Sequence, residues 1–355
     1  MMQLRPTISG CGMYVPERIV TNSDLEKMVD TSDEWITQRT GIRARRIAAE
    51  GETSSSMGVL AAERALKSAG MTAQDMDLVI VGTATPDFMF PATACLIQNA
   101  LGIKGGAFDV EAGCTSFMYA LSMAAAFVTT GAHRNVLVVG TEVLSRIMDW
   151  SDRSTCVLFG DGAGAVVISA TTNGSFDPTF VLGSDGSGAS ALYVPAGGSN
   201  QPAADNTVRE GLHFVRMAGP EVFRFATKVV VESTQQVLDR LGLAPDDIDL
   251  FIPHQANERI IDSALKRLGF PRERCFINID KYGNTSSASI PIALSEANDQ
   301  GLLSPGTTLL MVGFGAGLTW AAGAIQWDLN RVSLAAPTHD VQAEPELAIV
   351  GGTHA

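Results

Sequence analysis

The sequence predicts an α/β fold of two similar halves stacked in layers, each a sheet whose strands alternate with covering helices. Three observations carry this. Leu78-Val79-Ile80-Val81, Val136-Leu137-Val138-Val139 and Leu309-Leu310-Met311-Val312 are continuous apolar runs, as strands buried on both faces are. Helical patterns alternate with them. And one stretch recurs. Ala65-Leu66-Lys67-Ser68-Ala69-Gly70, followed by Asp75-Met76-Asp77-Leu78-Val79-Ile80-Val81, is matched by Val237-Leu238-Asp239-Arg240-Leu241-Gly242, followed by Asp247-Ile248-Asp249-Leu250-Phe251-Ile252-Pro253. Each copy reads as a helix closed by glycine, an acidic turn and a buried strand.

Gly70 falls on Gly242 and Asp77 on Asp249, an offset of 172 in both cases. The same offset carries the strand at 136–140 to 308–312, and Cys114 to Ser286, two residues past Asn284. The halves are placed at 1–172 and 173–330. Equivalent loops would meet at their junction, where a shared site is expected. The tail, 331–355, holds Pro337, Pro345, Gly351 and Gly352 and few large apolar residues, and is expected to be loosely ordered.

The 355 residues are 46% hydrophobic and 18% charged, enough for a large core. A net charge of −13 argues against a nucleic-acid partner, and an acidic protein could dock only at a local basic patch. The N-terminus lacks a basic segment followed by an apolar one, and no apolar run approaches the ~18 residues that span a bilayer. A cytoplasmic protein away from membranes is expected. Five scattered cysteines without a CxxC pair point away from disulfides and zinc, and leave reduced thiols, one of which could be catalytic.

Three loops are candidates for chemistry. In Val110-Glu111-Ala112-Gly113-Cys114-Thr115, a strand ends near Val110 and an Ala-, Ser- and Met-rich helix follows from about Thr115. Cys114 is either a small packed side chain or a nucleophile whose pKa the helix N-terminus lowers. In Ile252-Pro253-His254-Gln255-Ala256-Asn257, His254 follows a buried strand, where reacting groups gather in α/β sheets; a satisfied structural histidine is the alternative. His133 and His213 show no polar company in sequence. Tyr282-Gly283-Asn284-Thr285-Ser286-Ser287-Ala288-Ser289 precedes a helix near Ile290 and alone reads as an N-cap. The duplication makes it the counterpart of the Cys114 loop, which would bring Asn284 to the cysteine. Gly313-Phe314-Gly315-Ala316-Gly317 lacks the setting of a dinucleotide site and reads as a tight turn offering a backbone N–H to the same cavity.

Together these motifs resemble β-ketoacyl-acyl carrier protein synthase III, a thiolase-fold family. Ser32-Asp33-Glu34-Trp35-Ile36-Thr37-Gln38-Arg39-Thr40-Gly41-Ile42 and Phe159-Gly160-Asp161-Gly162-Ala163-Gly164-Ala165 extend the resemblance, which runs from about Thr7 to Trp327. It implies a layered αβαβα arrangement and a triad of Cys114, His254 and Asn284. A short acyl-CoA, typically acetyl-CoA, would acylate Cys114. Malonyl-acyl carrier protein would then lose CO₂ and condense with the acyl group, giving a 3-oxoacyl product that initiates fatty acid synthesis. A relative serving a polyketide, quinolone or olefin pathway is the alternative.

The resemblance further implies an oxyanion hole from the backbone N–H groups of Cys114 and Ala316. Trp35, Arg39, Arg153 and Asn257 would serve CoA, with Asn257 also ordering the surroundings of His254. Phe90 would close the acyl pocket across a homodimer. Arg224, Arg259, Lys266 and Arg267 would dock the carrier protein. No metal and no cofactor are expected, CoA thioester being a substrate.

Overall fold

The computed structural model describes residues 4–328; the tail at 331–355 lies outside them. Numbering the strands of the two large sheets, the first contains β1 (Arg5–Tyr14), β2 (Leu78–Gly82), β3 (Gly106–Val110), β4 (Asn135–Glu142) and β5 (Gly162–Thr171), in the order β1-β5-β4-β2-β3. β2 is parallel to β3 and β4, and β5 is antiparallel to β1 and β4. The second contains β6 (Thr179–Ser184), β7 (Leu250–Pro253), β8 (Thr308–Gly315) and β9 (Thr319–Gln326), in the order β7-β8-β9-β6. Here β7 and β8 are parallel, and β9 is antiparallel to β8 and β6. Read from the other edge, this repeats the first order strand for strand. The counterpart of β3 is reduced to a bridge between Phe251 and Cys275.

The principal helices are α1 (Asp33–Thr40), α2 (Ser54–Ser68), α3 (Thr93–Leu101), α4 (Ser116–Thr129), α5 (Gly219–Leu241), α6 (Glu258–Leu268) and α7 (Ser289–Asp299). Their apolar faces sort into layers. Phe117, Met118 and Leu121 of α4 and Ile290, Ala293 and Leu294 of α7 share one core with Ile80, Val138 and Ile168 of the first sheet and Ile252, Leu309 and Ile325 of the second. These two helices therefore lie between the sheets, which is why α4 is apolar on nearly every side. Fully burying a side chain such as Leu121 contributes about 1.5–3 kcal/mol. Helices α2 and α3 cover the outer face of the first sheet, and α5 and α6 that of the second. The sequence is thus α, β, α, β, α, as expected. Among the described residues no helix is long and apolar enough to cross a membrane.

Between strand and helix each sheet makes a tight corner, a 3-10 turn at Gly113–Thr115 and another at Ser286–Ala288. Gly113 has φ +56° and Ser286 φ +48°, so the two corners are built alike. This corrects the sequence alignment by one position: the counterpart of Gly113 is Ser286, and that of Cys114 is Ser287. β7 keeps the offset of 172, whereas the second corner and β8 have gained one residue. A left-handed conformation costs a non-glycine residue about 1–2 kcal/mol; at Ser286 the Asn284 Oδ1, accepting from Ser286 N–H at 2.8 Å, helps hold it.

Each corner seats on the other sheet. A Cβ on Gly315, at the end of β8, would lie 2.6 Å from the Cys114 nitrogen, and one on Gly140, in β4, 2.5 Å from the Ser287 carbonyl oxygen. Glycine at these two seats is what lets the corners close across the junction.

Candidate active site

Two cavities meet at Cys114. One of about 550 Å³ is lined by Cys114, Ser286, Ala84, Leu144, Ala316 and Thr319 among others. A smaller one, about 150 Å³, is lined by Cys114, His254, Asn284, Asn257, Phe223 and Phe314 among others. Cys114, His254 and Asn284, which lie up to 170 residues apart in the chain, therefore face one cavity.

Cys114 sits on the corner one turn ahead of α4, and the expected lowering of its pKa is not what the site produces. Burial pushes the thiol up to about 11; the nearby Ser286 hydroxyl lowers it, the Glu142 carboxylate raises it, and the backbone N–H groups of Cys114 and Ala316 lower it. Desolvation of a thiolate at a fully buried position outweighs the favourable end of a helix. At neutral pH Cys114 is therefore a neutral thiol.

His254 is held at both ends of its local chain. Its backbone N–H donates to Val312 O at 2.7 Å, which continues the β7–β8 pairing past the strand. Its ring packs edge-on to Phe314, centroids 5.3 Å apart. Nδ1 lies 2.6 Å from Ser289 Oγ, and Gln255 N–H donates to that same oxygen at 3.4 Å. A backbone N–H only donates, so the Ser289 proton is available to Nδ1, and in the tautomer that uses it the imidazole proton lies on Nε2. Among the described residues Nε2 has no hydrogen-bond partner. Burial lowers the His254 pKa to about 3, so the ring is neutral at physiological pH. A neutral, unspent N–H donor at a cavity wall suits an oxygen that gains negative charge.

Asn284 complements it. Because Oδ1 is engaged by Ser286 N–H, the amide NH₂ is the part left for the cavity. The N–H groups of Cys114 and Ala316 bear on the sulfur and lower its pKa.

Trp35, Arg39 and Arg153 come together as well. Trp35 and Arg39 lie one turn apart on α1, and their side chains meet with the guanidinium carbon 5.9 Å from the ring centroid; Arg153 approaches the ring at 5.2 Å. Arg153 also donates to Asp30 O at 2.6 Å. Asn257 links this cluster to the cavity: it caps α6 by accepting from Arg259 N–H at 3.0 Å, donates to Arg39 O at 3.1 Å, and lines the smaller cavity.

The family model described as 3-oxoacyl-[acyl-carrier-protein] synthase III matches residues 108–194, and that of its C-terminal part residues 238–327. A β-ketoacyl-[acyl-carrier-protein] synthase III from Caldanaerobacter subterraneus subsp. tengcongensis is 54% identical over 321 residues, 90% of this chain and 97% of that one. The chain belongs to the β-ketoacyl-acyl carrier protein synthase III family. Among solved structures, the synthase III of Thermus thermophilus is 48% identical with a TM-score of 0.83, covering 90% of this chain and 99% of that one. The priming β-ketosynthase of the R1128 polyketide pathway is 38% identical with a TM-score of 0.84, covering 92% and 97%.

Other positions expected of a synthase III lie apart from the cavities. Phe90 is 85% exposed, beside Met89 at 81% and Phe88 at 58%, and lines neither cavity. Arg224, Arg259, Lys266 and Arg267 are exposed on neighbouring helices α5 and α6. Arg259 covers the Phe223 ring, with its guanidinium carbon 5.3 Å from the centroid, and Arg267 donates to Thr227 O across the helix pair.

Several residues escaped the reading of motifs. Ser289 orients His254 from 35 residues away. Glu142 is a fully buried carboxylate at the end of β4, and its signal was an acidic residue closing an apolar strand. His213, read as lacking polar company, pairs with Thr207 Oγ1 at 2.9 Å.

Proposed function

We propose that this synthase III condenses a short acyl-CoA, with acetyl-CoA the first candidate, and malonyl-acyl carrier protein to a 3-oxoacyl-acyl carrier protein, initiating fatty acid synthesis. The carrying observation is the shared cavity: a thiol, an imidazole with an unpartnered Nε2 and a free carboxamide NH₂ face the same small volume. CoA would lie with its base against Trp35, Arg39 and Arg153, since aromatic and guanidinium groups suit a purine and phosphates. Its arm would pass Asn257 into the smaller cavity. The acyl group would then enter the larger one.

In the first half-reaction Cys114 attacks the thioester carbonyl, and the oxyanion is held by the N–H groups of Cys114 and Ala316 as CoA leaves. In the second, the malonyl thioester oxygen accepts from His254 Nε2–H and Asn284 NH₂. Loss of CO₂ leaves an enolate, which attacks the acyl-cysteine. Each donor of this kind is worth roughly 10²–10³ in rate. The step calls for donors and no proton abstraction from carbon, so neither metal nor cofactor is assigned. Two half-reactions on one cysteine give ping-pong kinetics. We place the reaction in the cytoplasm, where the thiol stays reduced. We assign a homodimer in which the exposed Phe90 reaches the partner's acyl pocket, and the carrier docks at Arg224, Arg259, Lys266 and Arg267.

A specialised pathway with another primer is the second reading. It is favoured by the larger cavity, whose volume exceeds the needs of a two-carbon group, and by likeness to the R1128 enzyme. Incubation with a panel of acyl-CoAs, read by intact mass, separates the two. Acylation by acetyl-CoA supports the first; acylation by long or aromatic donors alone overturns it. Cys114→Ser abolishes acylation. His254→Ala spares acylation and cripples malonyl decarboxylation; full decarboxylation by that variant removes the assigned role.

A further inference from the structure

The two cavities that meet at Cys114 differ in charge. Among the described residues the larger one has a single Asp, Glu, Lys, Arg or His in its lining, Glu111. The smaller has no Asp, Glu, Lys or Arg there, and its histidine, His254, is neutral at physiological pH. The buried Glu142 lines neither.

Glu111 follows β3 directly and stands just ahead of the Cys114 corner, on the exposed side of the cavity wall. Its Oε1 accepts from Gly113 N–H at 3.1 Å, which holds the carboxylate against that corner. The backbone beneath is pinned to both halves of the fold. Ala112 N–H donates to Ser116 Oγ at 2.8 Å, and Ala112 O accepts from Thr115 Oγ1 at 2.7 Å and from Thr319 Oγ1, on β9, at 2.9 Å. Among the described residues no Lys, Arg or His forms an ion pair with Glu111. The wall of the larger cavity therefore carries a fixed negative charge without a counter-ion. A neutral amide would accept the Gly113 N–H equally well, so the hydrogen bond alone does not call for a carboxylate.

We propose that Glu111 is a specificity-determining residue that sorts acyl groups by charge: it admits uncharged primers to the larger cavity and rejects those that end in a carboxylate, malonyl included. This rests on the reading of Cys114 as the acceptor of the primer and of the His254 and Asn284 side as the malonyl subsite. On acylation the carbonyl carbon gains a bond to the Cys114 sulfur and loses its bond to the CoA sulfur, and the thiol proton leaves with CoA. A malonyl group transferred in this way would occupy the nucleophile and leave no primer for the enolate to attack. Its carboxylate would also enter the cavity that holds Glu111, where like charges repel more strongly than in bulk water because the acyl group displaces solvent. The wrong donor is thus opposed by a repulsive contact, while the smaller cavity sets no carboxylate against the same group.

The test compares succinyl-CoA with butyryl-CoA. Both deliver a four-carbon chain and carry the same CoA charges; only the far end differs. Succinyl stands in for malonyl because it does not lose CO₂. Acylation of Cys114 in the full chain is followed by intact mass, and the succinyl-to-butyryl rate ratio is the readout. Glu111→Gln keeps an acceptor for Gly113 N–H and removes the charge, and the ratio rises about five- to tenfold at low salt, less as salt screens the contact. Glu111→Lys raises it further, and Glu111→Asp stays near the wild type. A ratio unaltered in Gln and Lys, or two donors slowed alike, overturns the proposal and leaves Glu111 a mere support of the corner. A second pair of probes needs no CoA. Cys114 is alkylated with iodoacetate or iodoacetamide and its peptide read by mass; the iodoacetate-to-iodoacetamide rate ratio rises in Glu111→Gln. If no acyl-CoA acylates the chain, this ratio decides alone: a rise keeps the sorting by charge while the proposed function falls, and an unaltered ratio ends both.

Discussion

Ser289→Ala isolates the orientation of His254 from its presence. The hydroxyl lies 2.6 Å from Nδ1 and its oxygen already receives Gln255 N–H; by donating its own proton to the imidazole it would fix the protonated nitrogen as Nε2. Removing it leaves Nδ1 buried without a donor, a cost of about 1–3 kcal/mol, and frees the other tautomer, in which Nε2 offers a lone pair to the developing oxyanion. If that cost falls on the transition state, decarboxylation slows roughly 5- to 150-fold at 1.36 kcal/mol per decade. The assay is CO₂ release from malonyl-acyl carrier protein, with acylation of Cys114 by intact mass as internal control. Decarboxylation falls, acylation does not, and Ser289→Thr retains most of the activity because the hydroxyl remains. Wild-type decarboxylation in Ser289→Ala, or equal losses in both half-reactions, would refute the tautomer argument.

Other predictions follow from the same geometry. Gly315→Ala places a methyl 2.6 Å from the Cys114 nitrogen and pries the corner from β8; acylation falls by 10²-fold or more when an oxyanion donor shifts, measured in single-turnover kinetics. His254 is depressed from 6.5 to about 3, so between those values the unfolded chain binds the extra proton and the folded protein loses stability as pH falls, by about 1.4 kcal/mol per unit. Urea unfolding of His254→Gln should therefore show a shallower decline from pH 6.5 to 4 than the wild type; parallel curves would contradict the buried neutral ring. Arg259→Glu with Lys266→Glu raises KM for the carrier protein several-fold at low salt and leaves acylation by acyl-CoA unchanged; an unaltered KM would move the docking surface elsewhere.

The layered fold was legible because it depends on patterns that short windows hold. Apolar runs such as 136–139, glycine-closed helices at Gly70 and Gly242, and a repeated order of elements specify buried strands between helix layers. The cavity grouping of Cys114, His254 and Asn284 was accessible because each lies at the end of a strand or on a corner that the duplication relates. What escaped depends on energies summed over neighbours distant in sequence. The thiol pKa turned on full burial and on Glu142, neither visible from a helix start. Ser289 and Glu142 act through contacts spanning 35 and 145 residues, and a single added residue in the second half moved the cysteine's counterpart from Ser286 to Ser287.

That one-residue displacement pairs Cys114 with Ser287. Where the first copy of the bend offers a sulfur, the second offers Ser287, whose hydroxyl reaches back to the Gly82 carbonyl at 2.9 Å, within the sheet that bears the thiol. A cysteine grafted at Ser287 would thus gain no activity, because it would sever the clamp on the working copy while facing none of the donors gathered around Cys114.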